Sequence, residues 1–467
     1  MRKIYWYLSS YTRKHGLIVV ISLVAASIFF WFLVPFISQA VEIKPRRYIG
    51  MVGDYSLTDL PVPVQELMSS GLTLVGENGS ATPELSERWS IEENGTQYRF
   101  IIKKNLFWQD GKAFEPSDIQ YAFEDVQVLT TANDIIFKLP AAFVPFPNVV
   151  SQPIFRPGTK RSLFFFERPI LIGMGEYEMT DYKRQGARVT EITLDSPDER
   201  KIYRFFLTEE DAVLAFKRGE VDIVEDLASA RELGDWPTVA VTKELDTNRY
   251  LAVFFNIGSG MFPKNIRQAL SYAARKPEES KRAIGPISMK SWAYLEGSKS
   301  YDYDLVRAVE RLLSEPPAAP LAVELTTTPT FAQEAEALKV DWEELGNQAE
   351  QTCSNSADFK DKAVCANAKI SVTIKISSFP DTSNFQLLLV GQESPLDPDQ
   401  YFLWHSGQPT NFSGYENTRI DSLLEKGRTT QTQADRLAIY QEFQQFFLED
   451  APAVFLRYLE NYEVKRK

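Results

Sequence analysis

Apolar and polar positions along this chain change period several times, and each change marks an element. The run from Gly16 to Val41, GLIVVISLVAASIFFWFLVPFISQAV, contains no charged side chain. About 20 apolar residues cross roughly 30 Å of hydrocarbon, so the run predicts one membrane-spanning helix. Beyond it the pattern predicts a strand at Tyr48–Val52, a proline-bearing loop over 57–64 and a helix at Val64–Met68. A β-hairpin follows, with arms Trp89–Ile91 and Tyr98–Ile102 around Glu93-Asn94-Gly95. Asn-Gly accepts the positive φ of a two-residue type I′ turn. Pro116 suits the first turn of a helix over Ser117–Val126, and 127–170 reads as short strands between proline-rich loops. Strand Val189–Leu194, helix Thr208–Arg218 with a Gly219 stop and strand Val221–Val224 come next.

From Leu251 the pattern becomes α/β. It predicts strand Leu251–Asn256, helices Pro263–Ala274 and Asp304–Leu313, strand Leu321–Thr326 and helix Phe331–Leu345. A polar insertion over 347–369 interrupts the order. Strands Ile370–Ile376 and Phe385–Val390 follow, then helices Tyr401–His405, Thr418–Arg428 and Gln433–Glu449. Thr432 with Asp435 resembles a capping box, Leu437, Tyr440, Phe443 and Phe447 share one helix face, and Pro452 stops the helix before strand Ala453–Tyr458. With 467 residues the chain exceeds what one core usually holds, so more than one core is expected.

Charge narrows the partners. The formal charge is −12, and residues 1–47 hold seven basic and one acidic side chain, so the remainder carries −18. Such a surface repels phosphate backbones, which excludes nucleic acid as the partner. Arg2, Lys3, Arg13 and Lys14 precede the apolar run, while Lys44, Arg46 and Arg47 follow it beside Glu42. This bias favours the N-terminus inside and the long remainder outside, with Trp6, Tyr7 and Trp31 at the interfaces. A cleaved signal peptide ending at Ser38-Gln39-Ala40 is the competing reading; the apolar core exceeds the usual length of about 7–15 residues for such signals. Cys353 and Cys365 are the two cysteines, with eleven residues between them, and in an oxidising compartment they make a loop that a disulfide can close. The two histidines are His15 and His405, too few for a multi-histidine metal site or a well-supported catalytic triad. Neither a phosphate loop nor a Gly-x-Ser-x-Gly elbow occurs, so an enzyme ranks last and no cofactor is expected.

The stretch ATPELSERWSIEENGTQYRFIIKKNLFWQDGKAFEPSDIQYAFEDV, residues 81–126, resembles the signature region of the family 5 extracellular solute-binding proteins, the peptide- and nickel-binding components of ABC importers. Further blocks recur in the family's order: Gly173-Met-Gly175-Glu-Tyr177, Gly219-Glu-Val-Asp222, Phe255-Asn256 with Ile266-Arg-Gln-Ala-Leu-Ser-Tyr272, Gly285-Pro-Ile287, Ser291-Trp-Ala-Tyr294, Asp397-Pro-Asp399 and Phe412-Ser-Gly-Tyr415-Glu-Asn417. The resemblance implies a periplasmic-binding-protein-like fold with two α/β lobes closing on a buried ligand. On this frame residues 1–15 are cytoplasmic, 16–41 the anchor and 42–47 a linker. Lobe I with an inserted β-rich subdomain spans 48–250, lobe II spans 251–450, and 451–467 returns to lobe I as a strand.

The resemblance also implies a ligand set: Tyr55, Gln392, Glu393, Ser394, Tyr401 and Trp404, with Tyr401 and Trp404 as candidate cleft walls and core packing as their alternative. Two departures bear on the ligand. The lipidated cysteine of lipoprotein members has no counterpart, which leaves the helix at 16–41 as the expected anchor. Where peptide-binding members carry an aspartate that pairs with the ligand's α-amino group, this chain has Ser394 beside Glu393, and Gly391 replaces the usual tryptophan just upstream. Either Glu393 takes over the amine or the ligand lacks one there. Asp397 and Asp399 are expected to cap a short helix near Gln400. The function expected is a membrane-anchored binding protein for oligopeptide-like solutes, working with an ABC permease at the plasma membrane. A tethered sensor or scaffold with the same fold is the alternative, and scarce histidine disfavours nickel or haem.

Overall fold

The structure is a computed structural model that describes residues 14–18, 20–31, 44–121, 123–161, 167–356 and 363–467. Its first element is a helix at Lys14–Trp31 with mean hydropathy 1.8, none of it buried against the rest of the protein. The expected interfacial Trp6 and Tyr7, the end of the apolar run beyond Trp31 and the cleavage site at Ser38–Ala40 lie outside the described residues.

The globular part is organised by one twisted sheet of ten strands: β1 (Arg46–Val52), β2 (Glu178–Gln185), β3 (Arg188–Asp195), β4 (Arg200–Phe206), β5 (Ile223–Leu227), β6 (Val239–Phe255), β7 (Leu321–Thr327), β8 (Ile370–Ile376), β9 (Leu387–Glu393) and β10 (Ala453–Arg466). Their spatial order is β2-β3-β4-β1-β5-β10-β6-β9-β7-β8. The sheet is shared by two lobes. Strands β6 and β10, 17 and 14 residues long, pair antiparallel and run through both.

Side-chain alternation along β6 explains how lobe II is layered. Leu251, Val253 and Phe255 face the core under helices Lys264–Ala273, Leu305–Ser314 and Ala332–Asn355. Tyr250, Ala252 and Phe254 face the opposite core under helices Thr418–Thr429 and Gln433–Asp450. Tyr440, Phe443 and Phe447 insert there from one face, and Thr432 caps that helix by accepting from the Asp435 amide at 3.2 Å. In lobe I, helix Glu209–Arg218 covers one face of the sheet, stopped by Gly219 at φ +76°. The β-rich subdomain, with its four-stranded sheet over residues 86–138, buries Tyr98, Phe100 and Phe137 in a core that is continuous with Ile49 and Met51 on the other.

Four expectations are corrected. No α-helix forms over the described part of 117–126: Pro116–Asp118 is a single 3₁₀ turn, after which Tyr121 and Phe123 stack at 5.2 Å and plug the subdomain core. Asp118 accepts from the Trp108 indole N–H and from the Glu115 amide, both at 3.0 Å, the second closing a capping box at the start of the turn. The hairpin turn at 93–96 has four residues, not two, with Glu93 and Asn94 left-handed and Gly95 at φ +91°. The helix expected to stop at Leu345 continues to Asn355, so the first part of the polar insertion is helical surface. The C-terminal strand runs on to Arg466, and Lys465, Val464 and Tyr462 pair with Ile223, Val224 and Leu227 of lobe I.

Candidate functional site

Strand polarity fixes where the lobes present their functional ends. In lobe I, β1, β4 and β5 are parallel, and their C-terminal ends finish at Val52, Phe206 and Leu227. In lobe II, β9 runs antiparallel to β6 and finishes at Glu393, opposite Arg249. Both sets of C-terminal ends therefore meet at one crevice, where open α/β sheets place their ligands. A break in the β6–β10 pairing between Asp246 and Tyr250 sits at that level and frees Thr247, Asn248 and Arg249 from β10, while Arg249 keeps its place opposite Glu393 of β9.

From lobe I, Tyr55 follows β1, half-buried, edge-on to Phe205 with centroids 5.0 Å apart, and its hydroxyl donates to the Val52 carbonyl at 3.1 Å. Burial raises its pKa, helped by the charges of Asp226 and Asp59. Asp226 holds a left-handed backbone at φ +56°. Its carboxylate accepts from Arg249 Nη1 at 3.2 Å, and the same nitrogen reaches Asn461 Oδ1 at 3.3 Å. The side chain of Asp226 is 52% exposed; partial desolvation by the surrounding protein raises its pKa, Arg249 opposes the shift, and the negative charges of Asp246 and Glu209 add to it. Lys290 of lobe II pairs with Glu77 at 2.9 Å. The crevice thus presents both charge signs, the carboxylate of Asp226 and the guanidinium of Arg249.

The expected ligand residues of lobe II divide into two groups. Glu393 is exposed and in register with Arg249, and Gln392 beside it is half-buried. Ser394 is 3% exposed and fully engaged: its hydroxyl donates to the Pro286 carbonyl at 2.5 Å, and its amide donates to the Asn248 carbonyl at 2.6 Å. Gln400 Nε2 approaches the same hydroxyl at 3.5 Å. The serine therefore ties the end of β9 to the β6 break and to the Gly285-Pro-Ile287 block. Tyr401 is half-buried under Arg428, whose guanidinium lies 4.2 Å from the ring centroid. Trp404 is 0% exposed, packed 4.6 Å from Phe447 and 5.8 Å from Phe254, and belongs to the lobe II core rather than to a cleft wall.

Asp397 and Asp399 do more than cap. Asp399 accepts from the Tyr401 amide at 3.1 Å as expected, but it also pairs with Arg428 at 3.1 Å, and Asp397 pairs with buried Arg436. His405 is committed: Nδ1 accepts from the Gly407 amide at 3.0 Å, so Nε2 carries the proton towards Glu425 at 3.3 Å. Among the described residues no group of three or more His, Cys, Asp or Glu side chains is placed to hold a metal ion.

Residues 80–396 match the model of the bacterial extracellular solute-binding proteins, family 5. The chain belongs to that family. This family 5 protein is 19% identical to the probable D,D-dipeptide-binding periplasmic protein DdpA of Escherichia coli, with 83% of this chain and 81% of that one covered. It superposes on the crystal structure of NikZ from Campylobacter jejuni in complex with Ni(L-His) at TM-score 0.68 and 21% identity, covering 91% and 94% of the two chains. It superposes on AppA from Bacillus subtilis in complex with a nonapeptide at TM-score 0.62 and 17% identity, covering 91% and 95%. These likenesses establish the bilobal periplasmic-binding-protein fold. Such proteins bind solutes and are not enzymes.

The departures at residues 394 and 391 have physical accounts here. An aspartate at 394 would set a carboxylate against the Pro286 carbonyl, acceptor against acceptor, where the serine hydroxyl donates. A Cβ at 391 would meet Leu459 Cδ1 at 2.9 Å with the Phe331 ring 3.7 Å away, so a larger side chain there requires Leu459 to shift. Asp226 and Arg249, the charged pair nearest the sheet break, were not singled out in the sequence. The one signal available was position: Asp226 lies four residues after the Gly-Glu-Val-Asp222 block.

Proposed function

We propose that this protein captures peptide-like solutes bearing a free ammonium group and delivers them to an ABC permease, tethered to the plasma membrane by the helix that includes Lys14–Trp31. The supporting observation is the crevice chemistry: Asp226 and Asp246 supply acceptors, and Arg249 supplies donors for a carboxylate or peptide carbonyls. Charge-assisted bonds of this kind fix a zwitterionic ligand at both ends. Asp226 then takes the amine-holding part that Ser394 cannot take, with Glu393 at the crevice edge. Helix Lys14–Trp31 and the basic residues before it favour an N-terminus inside and the lobes on the extracytoplasmic face. The relatives' partners support the reading: DdpA is named for D,D-dipeptides and AppA was solved with a nonapeptide.

The test is native mass spectrometry of the detergent-solubilised chain after incubation with a tripeptide pool, alongside a Ni(II)–histidine mixture in a separate arm. The expected result is retained tripeptides in the wild type and retention at least about tenfold weaker in Asp226→Asn. Retention of Ni(II)–histidine with no tripeptide, or tripeptide binding indifferent to Asp226→Asn, overturns the reading.

A further inference from the structure

One loop of the β-rich subdomain leaves its own lobe and lies on lobe II. It is the connection between strands Thr73–Val75 and Ala81–Pro83, and it is folded tightly: the Gly79 amide donates to the Gly76 carbonyl at 2.8 Å, and the Gly76 amide to the Ser80 carbonyl at 3.0 Å. Three consecutive residues of the loop touch lobe II. Glu77 pairs with Lys290 at 2.9 Å, the Asn78 carbonyl accepts the Trp292 amide at 3.0 Å, and Gly79 packs its bare Cα on the Leu396 carbonyl. Gly79 has φ +83°, and a methyl there would overlap the Leu396 oxygen. Only a glycine permits this approach.

Both sides of the seam are braced from behind. On the lobe I side, Asn148 Nδ2 donates to the Gly79 carbonyl at 2.9 Å. On the lobe II side, one guanidinium serves both contact points, since Arg436 lies 5.2 Å from the Trp292 ring centroid and pairs with Asp397, the residue after Leu396. Leu396 is two residues beyond Ser394, which ties the end of β9 to the β6 break, so the seam borders the crevice.

We propose that the loop Gly76–Ser80 is a latch that holds the lobes closed over the crevice, with Gly79 as the residue that lets it seat. The inference rests on the crevice being the ligand site, and it adds a part to that site which closes it. Of the three contacts, the exposed Glu77–Lys290 pair contributes least, because solvent screens it. The backbone bond and the close approach at Gly79 carry the latch. Closure is a two-state equilibrium that ligand biases, so a latch of this kind raises the closed population before ligand arrives and slows release afterwards.

Hydrogen–deuterium exchange of the full chain in detergent, without ligand, reads the seam directly through the Trp292 amide. Protection of peptides covering 290–294 is expected to fall about tenfold in Gly79→Ala, to fall less in Asn148→Ala, and to change less than about twofold in Glu77→Gln. Protection within the lobe II helix Gln433–Asp450 should stay unchanged, which separates latch loss from unfolding. Tripeptide dissociation should quicken in Gly79→Ala by about the same factor as protection is lost. Unchanged protection in both Gly79→Ala and Asn148→Ala, or lost protection with unchanged tripeptide dissociation, overturns the latch. Lost protection in a protein whose wild type retains no tripeptide supports the latch and counts against the peptide reading alone.

Discussion

The guanidinium of Arg436 meets the carboxylate of Asp397 through two bonds, Nη2 to Oδ1 at 2.7 Å and Nη1 to Oδ2 at 3.1 Å, with both side chains buried. Arg436 also donates through Nε to the Gly427 carbonyl at 2.8 Å, so the pair ties the turn after β9 to both C-terminal helices. Removing one partner leaves an uncompensated charge in the core. Asp397→Asn should destabilise the protein by about 3–5 kcal/mol, measured as a shifted urea midpoint at unchanged slope. The double variant Asp397→Leu/Arg436→Met should regain much of that loss, and a double variant as unstable as the single one would contradict the account.

Lys276 donates to three carbonyls, those of Ser271 at 2.6 Å, Tyr301 at 2.7 Å and Ala274 at 3.1 Å. Burial, reinforced by Arg282, pulls its ammonium down to about 7. The unfolded chain keeps the ordinary lysine value near 10.4, so between those values it binds more protons than the folded protein. This group therefore makes stability rise with pH across that window. Lys276→Met should remove the rise and, by leaving the carbonyls unpaired, cost about 2–3 kcal/mol at pH 8. Urea unfolding at several pH values between 6.5 and 10 checks both.

Asp226 has its pKa raised by partial desolvation and by neighbouring carboxylates. A ligand ammonium prefers the ionised carboxylate, so binding should strengthen as pH rises through a midpoint above the usual value near 3.9. Calorimetric titration with a tripeptide from pH 4 to 7 should show that rise in the wild type and a flat profile in Asp226→Asn.

Cys353 and Cys365 form a disulfide with Cα atoms 5.4 Å apart, and both residues are buried. The closed loop holds eleven residues between the cysteines, for which loop-entropy arguments give about 3 kcal/mol. The double Cys→Ser variant should unfold at lower urea by a comparable amount, while tripeptide retention in the native range is unchanged because the bridge lies outside the crevice.

Local rules made most helices legible. The Thr432 cap, the Gly219 stop and the aromatic face of the last helix each act within one or two turns of chain. The readings that missed were decided at longer range. Ile119, Tyr121 and Phe123 follow a helix-like start, but their alternate spacing serves an extended segment that fills the subdomain core. The long strands were visible only in their lobe II halves. Leu251–Phe255 and Ala453–Leu456 are apolar and buried, whereas Thr242–Asn248 and Glu460–Glu463 are largely polar and carry no burial signal. Their pairing comes from having each other as neighbours. The candidate site was legible to the level of its loop: Gln392, Glu393 and Ser394 do end a strand at the crevice. Which residues bear charge there depended on the left-handed turn at Asp226 and the break beside Arg249, which are features of chain crossing that no local pattern encodes.

Strand β10 lies between β5 and β6, at the centre of the sheet, yet it follows every other strand of that sheet along the chain. Neither lobe can complete its hydrogen-bonded ladder until residues 453–466 arrive. Until then β5 and β6 have open edges facing each other, a gap that residues 453–466 fill. Because β10 comes after both strands it pairs with, completing the sheet becomes a postponed, single closing event. Shortening the tail by a few residues would then be felt as failure of the whole molecule to mature.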